Sequence, residues 1–130
     1  MVELQDIDIG NWFLFAPDNK YCIVEAKGIN LTMVDYRKSK FHCYIKDLVP
    51  IGITTDKLSV SGFKDSGSYF VRTSSLGSQI KLTVQRNNVY NLSLDDGNAY
   101  GVLYIHQLQN VYFKLTGERL EPNLYGVREN

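Results

Sequence analysis

One stretch limits the possible folds more than any other. From Leu103 to Gly117 apolar residues recur at helical spacing, and the chain holds no other long helical pattern. At 100° per residue, Tyr104, Ile105, Leu108, Val111, Tyr112 and Leu115 share about 120° of arc, the apolar stripe of a core-facing helix. Gly117 stands where a left-handed residue closes a helix. The spacing predicts a helix over about 102–116. The opposite face carries Leu103, His106, Asn110 and Phe113. Two apolar residues there call for a cover, which is either the chain's own tail (Leu120, Leu124, Tyr125) or another molecule.

A lone helix cannot bury its stripe, so the rest of the chain must supply the opposing surface, and it reads as strands. Trp12–Phe15 is the first, ended by a turn at Pro17-Asp18-Asn19-Lys20. Tyr21–Ala26 alternates, with Cys22, Val24 and Ala26 on one face. Leu31–Tyr36 and Phe41–Ile45 follow, joined by the polar loop Arg37-Lys38-Ser39-Lys40. Lys46-Asp47-Leu48 forms a single helical turn before Val49-Pro50-Ile51. Short strands, tight hairpins and one turn before the last strand are the pattern of an SH3-like small barrel over residues 1–51; an open curled sheet has the same spacing.

A short helix follows, with Thr54 or Thr55 as its cap and Asp56 in its first turn. Gly62 supplies the left-handed end, and Phe63 should meet Leu58. Residues 68–100 return to strands. In the hairpin around Asn87-Asn88, a three-residue loop over Arg86–Asn88 pairs Val84 with Tyr90, Leu82 with Leu92 and Ile80 with Leu94. A two-residue loop would mix the faces, so burial selects the first register. Asn88 then takes the left-handed position. Asp95-Asp96-Gly97-Asn98 ends the meander, and Pro122–Asn130 reads as a loose tail. The expected fold is α+β and mostly β. It has an SH3-like lobe over 1–51, a lobe of short helix, antiparallel meander and packed C-terminal helix over 52–121, and a tail over 122–130.

Composition narrows the function. The 44% hydrophobic content, with six Phe, nine Tyr and one Trp, excludes a disordered chain. Fourteen basic and fourteen acidic residues balance, which argues against duplex nucleic acid as a partner. No apolar run is long enough to span a bilayer, and the acidic residues Glu3, Asp6 and Asp8 break any leader-like core, so a cytoplasmic location is expected. Cys22 and Cys43 lack CxxC spacing and read as buried free thiols, with a disulfide or a metal site as the alternative.

The sequence holds no HExxH or GxSxG motif. Gly62, Gly67 and Gly77 are turn glycines, not a phosphate loop. Asp95-Asp96 reads as a solvated turn. His106 has Gln109 and Asn110 beside it on the helix, which carry no charge to tune a general base. No catalytic, cofactor or metal residue is assigned, and no enzyme is expected. One hairpin interleaves aromatic and basic groups: Tyr36, Arg37, Lys38, Lys40, His42, Tyr44 and Lys46. Such a surface can stack bases and contact phosphates of a single strand, or it is an ordinary charged hairpin.

Residues 104–120 resemble a "YVHQLQNLYFALTGEEL" signature in small uncharacterised proteins of Bacteroides-type gut bacteria, their prophages and mobile elements. Val49-Pro50-Ile51-Gly52-Ile53-Thr54, Leu58 and Gly62-Phe63 are similar to a second segment of that group, "IPLT-x-x-x-L-x-x-x-GF". With the Ile9-Gly10-Asn11 entry the resemblance spans most of the chain. Val111, Lys114 and Arg119 depart from the signature. The resemblance implies a bacterial or phage accessory protein and carries no catalytic residues. The reading is therefore a non-enzymatic interaction module. It meets a protein partner, or itself, through Leu103, His106, Asn110 and Phe113; the alternative is single-stranded nucleic acid at the 36–46 hairpin.

Overall fold

A computed structural model describes residues 2–85, 89–94 and 97–125. Among them the chain is α+β and mostly β, with two antiparallel five-stranded sheets and two α-helices. It groups into two compact units: Met1–Gly52 with Tyr104–His106, and Ile53–Leu103 with Gln107–Asn130. No described helix is long and apolar enough to cross a membrane.

Unit 1 contains β1 (Trp12–Phe15), β2 (Lys20–Lys27), β3 (Leu31–Val34), β4 (Lys40–Cys43) and β5 (Leu48–Val49), in the order β4-β3-β2-β1-β5. The single helical turn before β5 is a 3-10 turn over Ile45–Asp47. Alternation in β2 buries Cys22 and Val24, but Ala26 is exposed. A bulge explains the difference. Val24 pairs with Met33 and Ala26 with Thr32, so Glu25 is the extra residue and the face flips behind it. Phe13, Cys22, Val24, Leu31 and Met33 are almost wholly buried and pack with Ile7, Cys43 and Leu48. Each large apolar side chain among them contributes about 1.5–3 kcal/mol over leaving it in water. Residues far along the chain complete this unit: Ile105 N–H donates to Ile51 O at 2.8 Å, and Gly52 bridges Tyr104.

Unit 2 opens with α1 (Thr55–Val60). Thr54 caps it, its Oγ1 accepting from Lys57 N–H at 3.3 Å. Gly62 takes φ +90°, and Phe63 N–H donates to Leu58 O at 3.0 Å, with both side chains buried, as the sequence predicts. The sheet comprises β6 (Lys64–Asp65), β7 (Phe70–Thr73), β8 (Gln79–Val84), β9 (Tyr90–Leu94) and β10 (Ala99–Val102), paired in chain order. The β8–β9 register is Val84↔Tyr90, Leu82↔Leu92 and Ile80↔Leu94. Burial decided it: Ile80, Leu82 and Leu92 are fully inside. The expected left-handed Asn88 and the Asp95-Asp96 turn lie outside the described residues.

Three expectations need correction. The meander does not end at Asn98. Ala99–Val102 adds β10 beside β9, a short strand with no alternating signal of its own. The C-terminal helix, α2, therefore begins later and covers Ile105–Thr116. The chain from 122 is not loose over its described part, because Pro122 and Leu124 are buried. Leu120 is buried too, and its carbonyl accepts from Gln109 Nε2 at 3.0 Å.

Candidate functional site

The His-Gln-x-Gln segment of α2 is built into the interior. Ile105, Leu108 and Tyr112 are fully buried, whereas Tyr104 is 36% exposed and Val111 and Leu115 are half-buried. His106 and Gln109 are buried instead. The inward face is thus turned from the apolar stripe toward the polar pair. Gln107 Oε1 accepts from Leu103 N–H at 2.8 Å, tying the helix start, while Gln109 holds the tail. At the far end Thr116 Oγ1 donates to Tyr112 O and accepts from Glu118 N–H. Gly117, at φ +76°, reverses the chain.

Tyr112 joins this end to the sheet. Its hydroxyl accepts from Arg72 Nε at 3.0 Å and donates to Glu118 Oε1 at 2.9 Å. Arg72 Nη1 also donates to Ser61 O, and Glu118 accepts from the Ser75 amide and hydroxyl. Burial, aided by the Glu118 carboxylate, raises the Tyr112 pKa. Hydrogen bonds from Ser75 and Tyr112 hold Glu118 below the usual carboxylate range. The network makes the motif's polar residues structural supports.

The four residues of the expected interface do not share one environment. Leu103 and Phe113 are each 43% exposed, and Asn110 is half-buried. His106 is buried, its ring 4.8 Å from that of Phe13 and 6.0 Å from that of Tyr104. Its Nδ1 has no hydrogen-bond partner among the described residues. Burial pushes its pKa down to about 4, against a weaker pull from Asp6. Such an imidazole is neutral at neutral pH. The Arg119 guanidinium lies 5.0 Å from the Phe113 ring.

The 36–46 hairpin divides into two ends. At its tip Asp35 accepts from the amides of Arg37 and Ser39 and from Lys20 Nζ. Desolvation opposes ionisation of Asp35, but these donors outweigh it and lower its pKa. Arg37 covers the Tyr36 ring at 5.2 Å, and Lys38 has φ +63°. Lys40, midway, pairs with Glu25 at 2.7 Å. At the other end Lys46 Nζ lies 5.7 Å from the Tyr44 ring, and His42 Nδ1 meets Thr32 Oγ1 at 3.2 Å. A half-open cleft of about 210 Å³ lies there, lined by Phe15, Asn30, His42, Cys43, Tyr44 and Asp47. Sequence reasoning reached His42 and Tyr44 but missed Asn30 and Asp47, whose convergence depends on tertiary pairing.

Cys22 and Cys43 are buried free thiols. Burial lifts the Cys22 pKa to about 12, and burial and Asp47 raise that of Cys43, so both stay protonated. No group of three or more His, Cys, Asp or Glu among the described residues is placed to hold a metal ion. Lys57 is 1% exposed, and neither its helical position nor its charge foretold that. Comparisons with protein-family models, curated proteins and solved structures found no match.

Proposed function

We propose that the chain is a non-enzymatic interaction module that pairs with a second copy of itself along β10. One observation carries the reading: β10 is an unguarded sheet edge. The edge strand β4 bears Lys40 and His42; β5 and β6 are two residues long, and β6 is Lys64-Asp65. Edge strands are normally blunted by charge, proline, bulges or brevity. β10 is Ala99-Tyr100-Gly101-Val102, with no charge, no proline and a regular register with β9. Gly101 is exposed, and for a residue without a side chain this is exposed backbone. Antiparallel pairing about a twofold axis sets the strand against a copy of itself, so a strand without charges brings no like charges together. Leu103 follows β10 directly, and Lys114 Nζ lies 4.8 Å from the Tyr100 ring, so the outer side of α2 borders this edge. Leu103, Asn110 and Phe113 then extend the contact beyond the strand.

The 104–120 resemblance supports assigning such a module to bacterial or phage accessory proteins. Within it we read unit 1 as SH3-like, because the chain returns through a 3-10 turn to set β5 beside β1.

Size-exclusion with light scattering tests the pairing. A Cβ built on Gly101 meets only ordinary contacts, with Asn91 Oδ1 at 3.7 Å and Val89 Cγ1 at 3.8 Å, so Gly101→Lys is expected to fold, which a melting curve checks. Wild type is expected as a dimer, with Gly101→Lys monomeric and Phe113→Ser weakened. A monomeric wild type at millimolar concentration, or a dimer unaffected by Gly101→Lys, overturns the reading.

A further inference from the structure

The cleft in unit 1 gathers groups that the fold leaves unused. The Asn30 amide, the Asp47 carboxylate and the Tyr44 hydroxyl have no hydrogen bond or ion pair among the described residues, and His42 keeps one ring nitrogen beyond its contact with Thr32. Phe15 supplies an apolar wall. Tyr44 is 59% exposed, so its ring offers a face for stacking. Aromatic walls with a few convergent polar groups make a small-ligand site, and the volume suits one flat ring system.

The polar groups narrow which ring. A carboxylate only accepts, and it is best matched by two adjacent donors. Guanine presents such a pair, its ring N1–H and exocyclic amino group. Adenine and cytosine set a donor beside an acceptor, and uracil flanks its one donor with two acceptors. The Asn30 amide has both donor and acceptor for the carbonyl edge. Lys46, over the Tyr44 ring, stands where a phosphate on the same nucleotide would find a cation.

We propose that this cleft binds a guanine-type base, stacked on Tyr44 and read by Asp47 and Asn30, from a free nucleotide or a single strand. The site is independent of β10 pairing.

Amide and side-chain NMR shifts of the full chain, titrated with guanosine and adenosine 5′-monophosphates, test it. Guanosine monophosphate is expected to shift Asn30, His42, Tyr44 and Asp47 saturably and to bind about ten- to a hundredfold tighter than adenosine monophosphate. Asp47→Asn should erase that preference, and Tyr44→Ala should weaken both ligands about tenfold, whereas Tyr44→Phe keeps the stacking. Melting curves check that each variant folds, and Asn30→Ala at an exposed turn serves if Asp47→Asn does not. Shifts spread away from the cleft, equal binding of both nucleotides, or a preference surviving both Asp47→Asn and Asn30→Ala overturns the site. A short single strand carrying one guanine separates the sources. Tighter, salt-sensitive binding that Arg37→Ala weakens assigns the base to a strand; affinity equal to the mononucleotide assigns it to a free nucleotide.

Discussion

Gly62 is a position where a missing side chain matters. Its φ of +90° is a conformation that residues with a Cβ avoid, and a Cβ there would sit 1.9 Å from Arg72 Nη1. Alanine would push the Arg72 guanidinium end off Ser61 O while straining the backbone. Gly62→Ala is expected to cost about 2–4 kcal/mol, read from chemical denaturation. His106 sets a different dependence. Unfolded, its imidazole binds a proton near pH 6.5; folded, it resists until about pH 4. Between those values the unfolded chain holds the extra proton, so stability present above pH 6.5 is lost as the pH falls. The loss is at most about 1.4 kcal/mol for each pH unit crossed. Asp35 and Glu118, whose pKa values are lowered, add their own losses at more acidic pH. The His106→Leu variant should lack the component between pH 6.5 and 4, and a wild-type curve parallel to it would refute the buried neutral imidazole.

At the scale of elements, α2 combines a packing contribution with a bonding one, and their sizes differ. Leu108→Ala opens a cavity and is expected to cost about 2–5 kcal/mol. Tyr112→Phe keeps the ring against Phe63 and loses only the hydroxyl between Arg72 and Glu118, about 1–3 kcal/mol. Thermal melts of the two variants rank these contributions. Elements marked by local chemistry were legible beforehand: the capped α1 with its Gly62-Phe63 ending, and the β8–β9 register imposed by period-two burial. The face of α2 was not, because hydropathy does not say that Gln109 will find a carbonyl on the returning tail or that His106 will lie against Phe13. Nor was β10, four residues long and given its strand character by its partner alone. The cleft was half visible. His42 and Tyr44 stood out as interleaved aromatic and basic residues, whereas Asp47 read only as part of a helical turn and Asn30 carried no signal of a site; the β3–β4 pairing brings both to the same end.

For the whole molecule, the balanced charge and the neutral β10 edge bear on one another. With 14 cations against 14 anions, long-range repulsion does little to keep copies apart. The short-range character of the β10 edge then decides whether the proposed pairing forms, and Gly101→Lys tests it by adding one charge there. Whole-molecule order also appears in how unit 1 is assembled. Residues 1–52 hold its five strands, yet Tyr104–His106 belong to it, supplying the amide for Ile51 and the ring against Phe13. A ribosome adding about 5–20 residues per second therefore releases the five strands seconds before the segment that completes them. During that interval the nascent N-terminal half is open to chaperones and proteases, and the fold finishes only when translation has passed the start of α2.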